Sequence, residues 1–172
     1  IPLTAGQLQT ILYEILTEER KKALSENWEL DFAYAIEVYA RFRVNICFEK
    51  RGLAAVFRFI PQDMPTAEQL GLPKQALDLI NVHQGLVLVT GPTWSGKSTT
   101  LAALISHINM HKNCHIITIE DPIEFVHNNL KSIVHQREVE NHTHSFAKAL
   151  KSSFREAPDI ILIGEMRDLE TI

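Results

Sequence analysis

The segment Gly91-Pro92-Thr93-Trp94-Ser95-Gly96-Lys97-Ser98, set between its two neighbours, limits the folds open to this chain more than any other feature. Before it runs Gly85-Leu-Val-Leu-Val-Thr90, a continuous apolar stretch that predicts a central parallel strand covered on both faces. After it, residues 98–110 carry small and apolar side chains that predict a helix. The eight residues fit G-x-x-x-x-G-K-[ST], in which successive backbone amides wrap phosphate oxygens and glycine permits the turn. The helix behind the loop directs its positive end at the anion. The expectation is therefore a phosphate-binding loop for ATP built from Gly91, Pro92, Thr93, Trp94, Ser95, Gly96, Lys97, Ser98 and Thr99. Lys97 would reach the β- and γ-phosphates, and the Ser98 hydroxyl would hold Mg²⁺.

The patterns on either side divide the chain. Leu8, Ile11, Leu12, Ile15 and Leu16 recur at helical spacing with Thr4 as a plausible N-cap, and a charged helix follows around 18–26. From residue 40 the period becomes two. Phe42, Val44, Ile46 and Phe48 alternate with mostly polar neighbours, so one face packs and the other meets solvent or a partner. Lys50-Arg51-Gly52 reads as a hairpin turn into a strand over 53–60, and 28–36 as the strand before.

Residues 1–60 are thus read as a small α+β unit on an antiparallel sheet, and 61–66, with Pro61 and Pro65, as a linker. Over 67–172, strands at 85–90, 114–119, near Ile133 and at 160–163 alternate with helices at 98–110 and 145–156. That order predicts a doubly wound α/β domain. Leu169-Glu170-Thr171-Ile172 reads as part of a helix, so the chain is taken as a segment of a longer protein.

Composition narrows the function classes. The net charge of −4 over 172 residues gives no general pull toward nucleic acid or anionic membrane. Cys47 and Cys114 each lie in an apolar run, which fits free thiols in a reducing compartment better than a disulfide framework. No apolar run approaches the roughly 18 residues a membrane span needs, and the first residues lack a signal-peptide pattern.

Two acidic clusters sit where chemistry is expected. Thr118-Ile119-Glu120-Asp121-Pro122-Ile123-Glu124 ends an apolar strand, and open α/β sheets bind ligands beyond the carboxyl ends of their strands. Glu120 and Asp121 would then lie near Mg²⁺ and the γ-phosphate, although acids after a strand also serve as ordinary turn and cap formers. In Asp159-Ile-Ile-Leu-Ile-Gly164-Glu165-Met166-Arg167-Asp168, Gly164 stands where many phosphate-loop enzymes keep a metal-supporting Asp. Glu165 is therefore the better candidate for activating water. Arg41, Arg43, Arg51 and Arg58 crowd the antiparallel sheet, either as solubilising surface charge or as groups that offset phosphate charge. His107, His111 and His115 have no Cys or acid completing a metal set, and solvated positions are expected for them.

Taken together, the chain resembles the PilT-type twitching-motility ATPases, within the wider type II and type IV secretion ATPases. The likeness runs through nearly the whole chain. It is carried by Ala40-Arg-Phe-Arg-Val-Asn45, Gly85-Leu-Val-Leu-Val-Thr-Gly91, Ser95-Gly-Lys-Ser-Thr-Thr-Leu-Ala-Ala103, Thr118-Ile-Glu-Asp-Pro-Ile-Glu-Phe-Val-His127, Gln136-Arg-Glu-Val139 and the stretch from Asp159 to Ile172. The resemblance implies a PAS-like N-terminal domain, cut short here, followed by a RecA-like ATPase domain. It implies an ATP-hydrolysing homohexamer that drives pilus retraction, cytoplasmic and peripheral at the inner membrane, where it meets a pilus platform protein. No nucleic-acid partner and no transmembrane segment are implied. Glu120 and Glu124 correspond to the family's acidic box, Glu165 to its Walker B acid, and one or more of the sheet arginines to groups on ATP phosphates. Trp94 departs from the family's usual glycine, and the family's His box would follow Ile172. The competing readings are a secretion or DNA-transfer ATPase of the same superfamily, or a nucleotide-binding module with impaired hydrolysis.

Overall fold

Thr4 opens the first helix by a reciprocal cap. Its hydroxyl accepts the Gln7 amide at 3.3 Å, and the Gln7 side chain accepts the Thr4 amide at 2.9 Å. The helix, α1, spans Ala5–Glu14, and α2 follows over Glu18–Asn27 with Thr17 as its cap. Trp28, left-handed at φ 64°, ends α2 and turns the chain into an antiparallel sheet. Its strands are β1 (Glu29–Ile36), β2 (Ala40–Glu49) and β3 (Gly52–Ile60), in the order β1-β2-β3. The computed structural model describes residues 3–36, 39–61, 64–82, 84–166 and 169–171. It divides into two compact units, Ile1–Pro61 and Gln62–Ile172.

In the first unit the period-two pattern of β2 sorts the sheet's faces. Val44 and Ile46 are fully buried and join Phe32 and Leu53 against Leu12, Leu16 and Leu24 of the helical layer. Register then settles where the arginines go. Arg43 lies opposite Arg58 and Arg41 opposite Ile60, on the face away from the helices. Arg51 occupies the turn between β2 and β3, about 30 Å along the strands from Arg41.

The second unit begins with a short helix, α3 (Lys74–Asp78), and a 3₁₀ turn over Leu79–Asn81. Neither is anticipated by periodicity, since five residues are too few to show it. After them come α4 (Lys97–His111), β4 (His115–Glu120), β5 (Ile133–Glu138), α5 (Phe146–Ser153) and β6 (Ile160–Ile163). The strands are parallel in the order β5-β4-β6. Ile105 and Ile108 of α4 pack on Ile116 and Val134, while Ala149 of α5 packs on Ile117 and Ile119. Helices therefore cover both faces of β4.

Two expectations need correction. Residues 85–90 form no strand, and Leu86, Val87 and Leu88 are 77, 48 and 59% exposed. A strand is defined by the backbone groups of its neighbours, and among the described residues no ladder reaches this segment. Residues 169–171 form a turn rather than a helix. Gln62 and Asp63 of the expected linker, and Arg167, Asp168 and Ile172, lie outside the described residues. Among the described residues no helix is long and apolar enough to cross a membrane.

Leu24 is wholly enclosed in the first unit's core. Leu24→Ala should cost about 2–5 kcal/mol of that unit's stability, read by hydrogen exchange as lost amide protection across β1, β2 and β3.

Candidate functional site

The loop at 91–98 is shaped by residues with positive φ: Gly91 at 153°, Trp94 at 69° and Gly96 at 87°. A Cβ at Gly91 would sit 2.7 Å from the Ser95 hydroxyl, so no other residue fits there without movement. Gly96 is the N-cap of α4 and offers no side-chain hydrogen bond. The first amides of α4 are thus left for an external acceptor, which suits an anion. Lys97 folds back over the loop, its ammonium donating to the carbonyls of Gly91 at 3.0 Å and Pro92 at 2.8 Å. To reach a phosphate it must exchange these two bonds. The Trp94 indole is 80% exposed and does not plug the loop.

The other end of α4 fixes which edge of the sheet the loop occupies. Lys131 donates its amide to the Asn109 carbonyl, Ser132 its hydroxyl to the Lys112 carbonyl, and Ile133 its amide to Cys114. The end of α4 is thereby tied to the starts of β4 and β5. Its start, with the phosphate loop, lies toward the carboxyl ends of the strands.

Those ends carry the acids. Ile119 pairs with Ile163, so Glu120 abuts Gly164 and Glu165 follows. A Cβ at Gly164 would lie 3.3 Å from the Ile119 carbonyl and 3.4 Å from Glu120 Cα. A side chain at position 164 would thus press on the end of β4, which would have to give by a few tenths of an ångström. Burial pushes the Glu120 carboxyl above the usual range, and the nearby Glu124 charge adds to this. Hydrogen bonds from Thr118 at 2.6 Å and Gln136 at 3.2 Å, and from the Glu124 backbone, oppose the rise. Asp121 follows at an exposed position after the strand. The structure therefore gathers Glu120, Glu124 and Glu165 at one sheet end.

Sequence reasoning assigned no role to Thr118, Gln136 or Glu138, all within quoted stretches. Glu138 is 5% exposed and accepts the Ile123 amide at 2.9 Å. A hydroxyl inside Ile-Ile-Thr-Ile-Glu was the available signal: a polar group midway along a buried strand needs a partner. The histidines take local partners. The rings of His107 and His111 lie 4.2 Å apart, and His115 meets His135 at 3.0 Å. Among the described residues no group of three His, Cys, Asp or Glu side chains is placed to hold a metal. Both cysteines are free thiols. On the face of the antiparallel sheet away from its helices, Arg41 Nη1 is buried without a hydrogen-bond partner.

Residues 26–172 match the type II/IV secretion system protein family. The chain belongs to that family. Among its relatives, it is 52% identical to the type IV pilus retraction ATPase PilT of Pseudomonas aeruginosa, over 99% of this chain and 50% of that protein. It is 49% identical to a twitching motility protein of Neisseria gonorrhoeae, over 99% of this chain and 46% of that one. A crystal structure of the pilus retraction motor PilT with bound ADP superimposes with a TM-score of 0.90 at 49% identity. That match covers 95% of this chain and 48% of the other. The chain spans about half the length of the curated relatives it matches. Its α/β fold is thus the one seen in a secretion-family ATPase.

His127 lies within the loop between β4 and β5, and burial pushes its imidazole down from 6.5 to about 4. The folded chain holds it neutral, so its contribution is complete above about pH 6.5 and is lost as pH falls toward about 4. His127→Gln should therefore lose less stability than the wild type between about pH 7 and 4.5, by on the order of 1 kcal/mol after solvent screening. Urea midpoints at the two pH values check this.

Proposed function

We propose that this chain is the nucleotide-binding part of an ATP-hydrolysing motor that drives type IV pilus retraction. In this reading residues 67–172 are a RecA-like ATPase domain, and residues 1–60 belong to a PAS-like domain joined to it through 61–66. The working form is a homohexamer on the cytoplasmic side of the inner membrane, acting on a pilus platform protein. The observation that carries the reading is the uncapped start of α4, with its glycine-shaped loop, at the sheet end that gathers Glu120, Glu124 and Glu165. The relatives named for pilus retraction and twitching motility supply the biological setting.

The amides of the loop and of the first turn of α4 take the phosphates, with Thr99 beside them. Lys97 leaves the Gly91 and Pro92 carbonyls to meet the β- and γ-phosphate oxygens. The donors fit Mg²⁺: the exposed hydroxyl of Ser98 and the carboxylates of Glu120 and Asp121 are hard oxygen ligands. Mg²⁺ commonly binds through one or two carboxylates together with substrate phosphates and keeps several waters. When bound, the ion neutralises charge on the β- and γ-phosphate oxygens.

Glu165 orients the attacking water or takes its proton, and Glu120 and Glu124 assist around the metal. Among the sheet arginines, Arg41, Arg43 and Arg58 are favoured over Arg51 as groups that offset γ-phosphate charge. The three share the sheet face away from the helices, where Arg43 lies opposite Arg58. The Nη1 of Arg41 is buried without a hydrogen-bond partner, so it must come free of its surroundings to meet a phosphate.

Lys97→Ala in the full-length protein should lower ATP turnover by at least about 100-fold, measured as phosphate release. Turnover within a few-fold of wild type would overturn the role of Lys97. Tight ATP binding by the wild type without phosphate release would favour a nucleotide-binding module over a motor.

A further inference from the structure

The stretch Gln136-Arg-Glu-Val139 has no part in the chemistry described so far, yet its side chains reach the last residue of β4 and the segment after it at four points. Gln136 Nε2 donates to Glu120 Oε1 at 3.2 Å and to the Phe125 carbonyl at 2.8 Å. Its Oε1 accepts the His127 amide at 2.7 Å. These partners settle the amide's orientation, because a flipped group would set oxygen against oxygen at Phe125 and N–H against N–H at His127. Two residues on, Glu138 takes the Ile123 amide at 2.9 Å and is itself held by the Asn141 side chain. Strand β5 thus serves as a template for the loop that follows β4.

Thr118 reaches the same oxygen from within β4. Its hydroxyl donates to Glu120 Oε1 at 2.6 Å, and the residue is 1% exposed. Thr118 and Glu120 are two apart and so lie on the same face of the strand, and Gln136 is the register partner of Thr118. Two donors from adjacent strands therefore converge on a single carboxylate oxygen. A carboxylate on a flexible side chain turns about its last torsion at little cost. Two hydrogen bonds to one oxygen remove that freedom.

We infer that Thr118 and Gln136 are positioning residues that fix the rotation of the Glu120 carboxylate for the hydrolysis proposed above, a role that rests on Glu120 acting there. Holding a reacting or metal-facing group in one orientation is where such outer partners exert their effect. The pair acts on orientation during turnover and not on nucleotide capture, which belongs to the loop at 91–98.

The test uses the full-length protein and measures kcat and KM for ATP hydrolysis alongside the Kd for a fluorescent ADP analogue. Thr118→Val keeps the branched shape and removes the hydroxyl. It should lower kcat by about 10- to 100-fold while KM and the ADP-analogue Kd stay within about two-fold. Thr118→Ser returns the hydroxyl and should restore kcat to within about three-fold of wild type. Gln136→Leu should lower kcat in the same way, and combining it with Thr118→Val should cost less than the product of the two, since both act through one oxygen. Glu120→Gln separates the two levels of the reading. If Glu120→Gln is impaired while Thr118→Val and Gln136→Leu turn over normally, the positioning role is overturned and that of Glu120 stands. Normal turnover in Glu120→Gln overturns both. Parallel losses of kcat and ADP-analogue affinity in Thr118→Val, without rescue by Ser, would mark a merely structural residue and overturn the inference.

Discussion

A helix must leave its first amides without partners inside the helix, and something outside has to accept them. Most helices meet this need with a side-chain cap, as α1 does with Thr4 and α2 with Thr17. The fourth helix does not. Its cap position is Gly96, at φ 87°, and the preceding residues curl over the open amides instead of closing them. Much of the second unit follows from this. Gly91 sits at φ 153°, where a side chain would be strained, and the Ser95 hydroxyl lies 2.7 Å from where one would begin. Lys97 places its charge on two carbonyls of its own loop.

The acids opposite obey a different physical demand. A carboxylate moved out of water is destabilised, and a second carboxylate nearby makes matters worse. Glu120 is subject to both effects, yet its surroundings supply donors from Thr118, Gln136 and the Glu124 backbone. Such an arrangement keeps a polar group in one place at the edge of an apolar sheet. Gly164 belongs to it as well, since a side chain there would press on Glu120 from the adjacent strand.

What could be read from the amino-acid order was local. Thr4 as a cap, the alternation through 40–49 and the turn at Lys50 and Arg51 all depend on neighbours in the chain, and the structure contains each of them. What escaped depends on distant partners. The apolar run at 85–90 has the composition of a buried strand, but a strand needs a ladder, and the run is exposed. The order β5-β4-β6 cannot be counted from spacing, and without it the meeting of Thr118 and Gln136 on one oxygen is invisible. The arginines tell the same story: four looked equivalent until register put three on one face and left Arg51 at the far turn.

The account stands on the loop at 91–98 being the seat of nucleotide phosphates. Hydrogen exchange of the full-length protein with and without saturating ADP and Mg²⁺ addresses this most directly, because it reports on the very amides that lack partners in α4. The account predicts that protection rises most across residues 91–99. Saturable ADP binding that leaves the exchange of 91–99 unchanged, while protecting another segment, would contradict it.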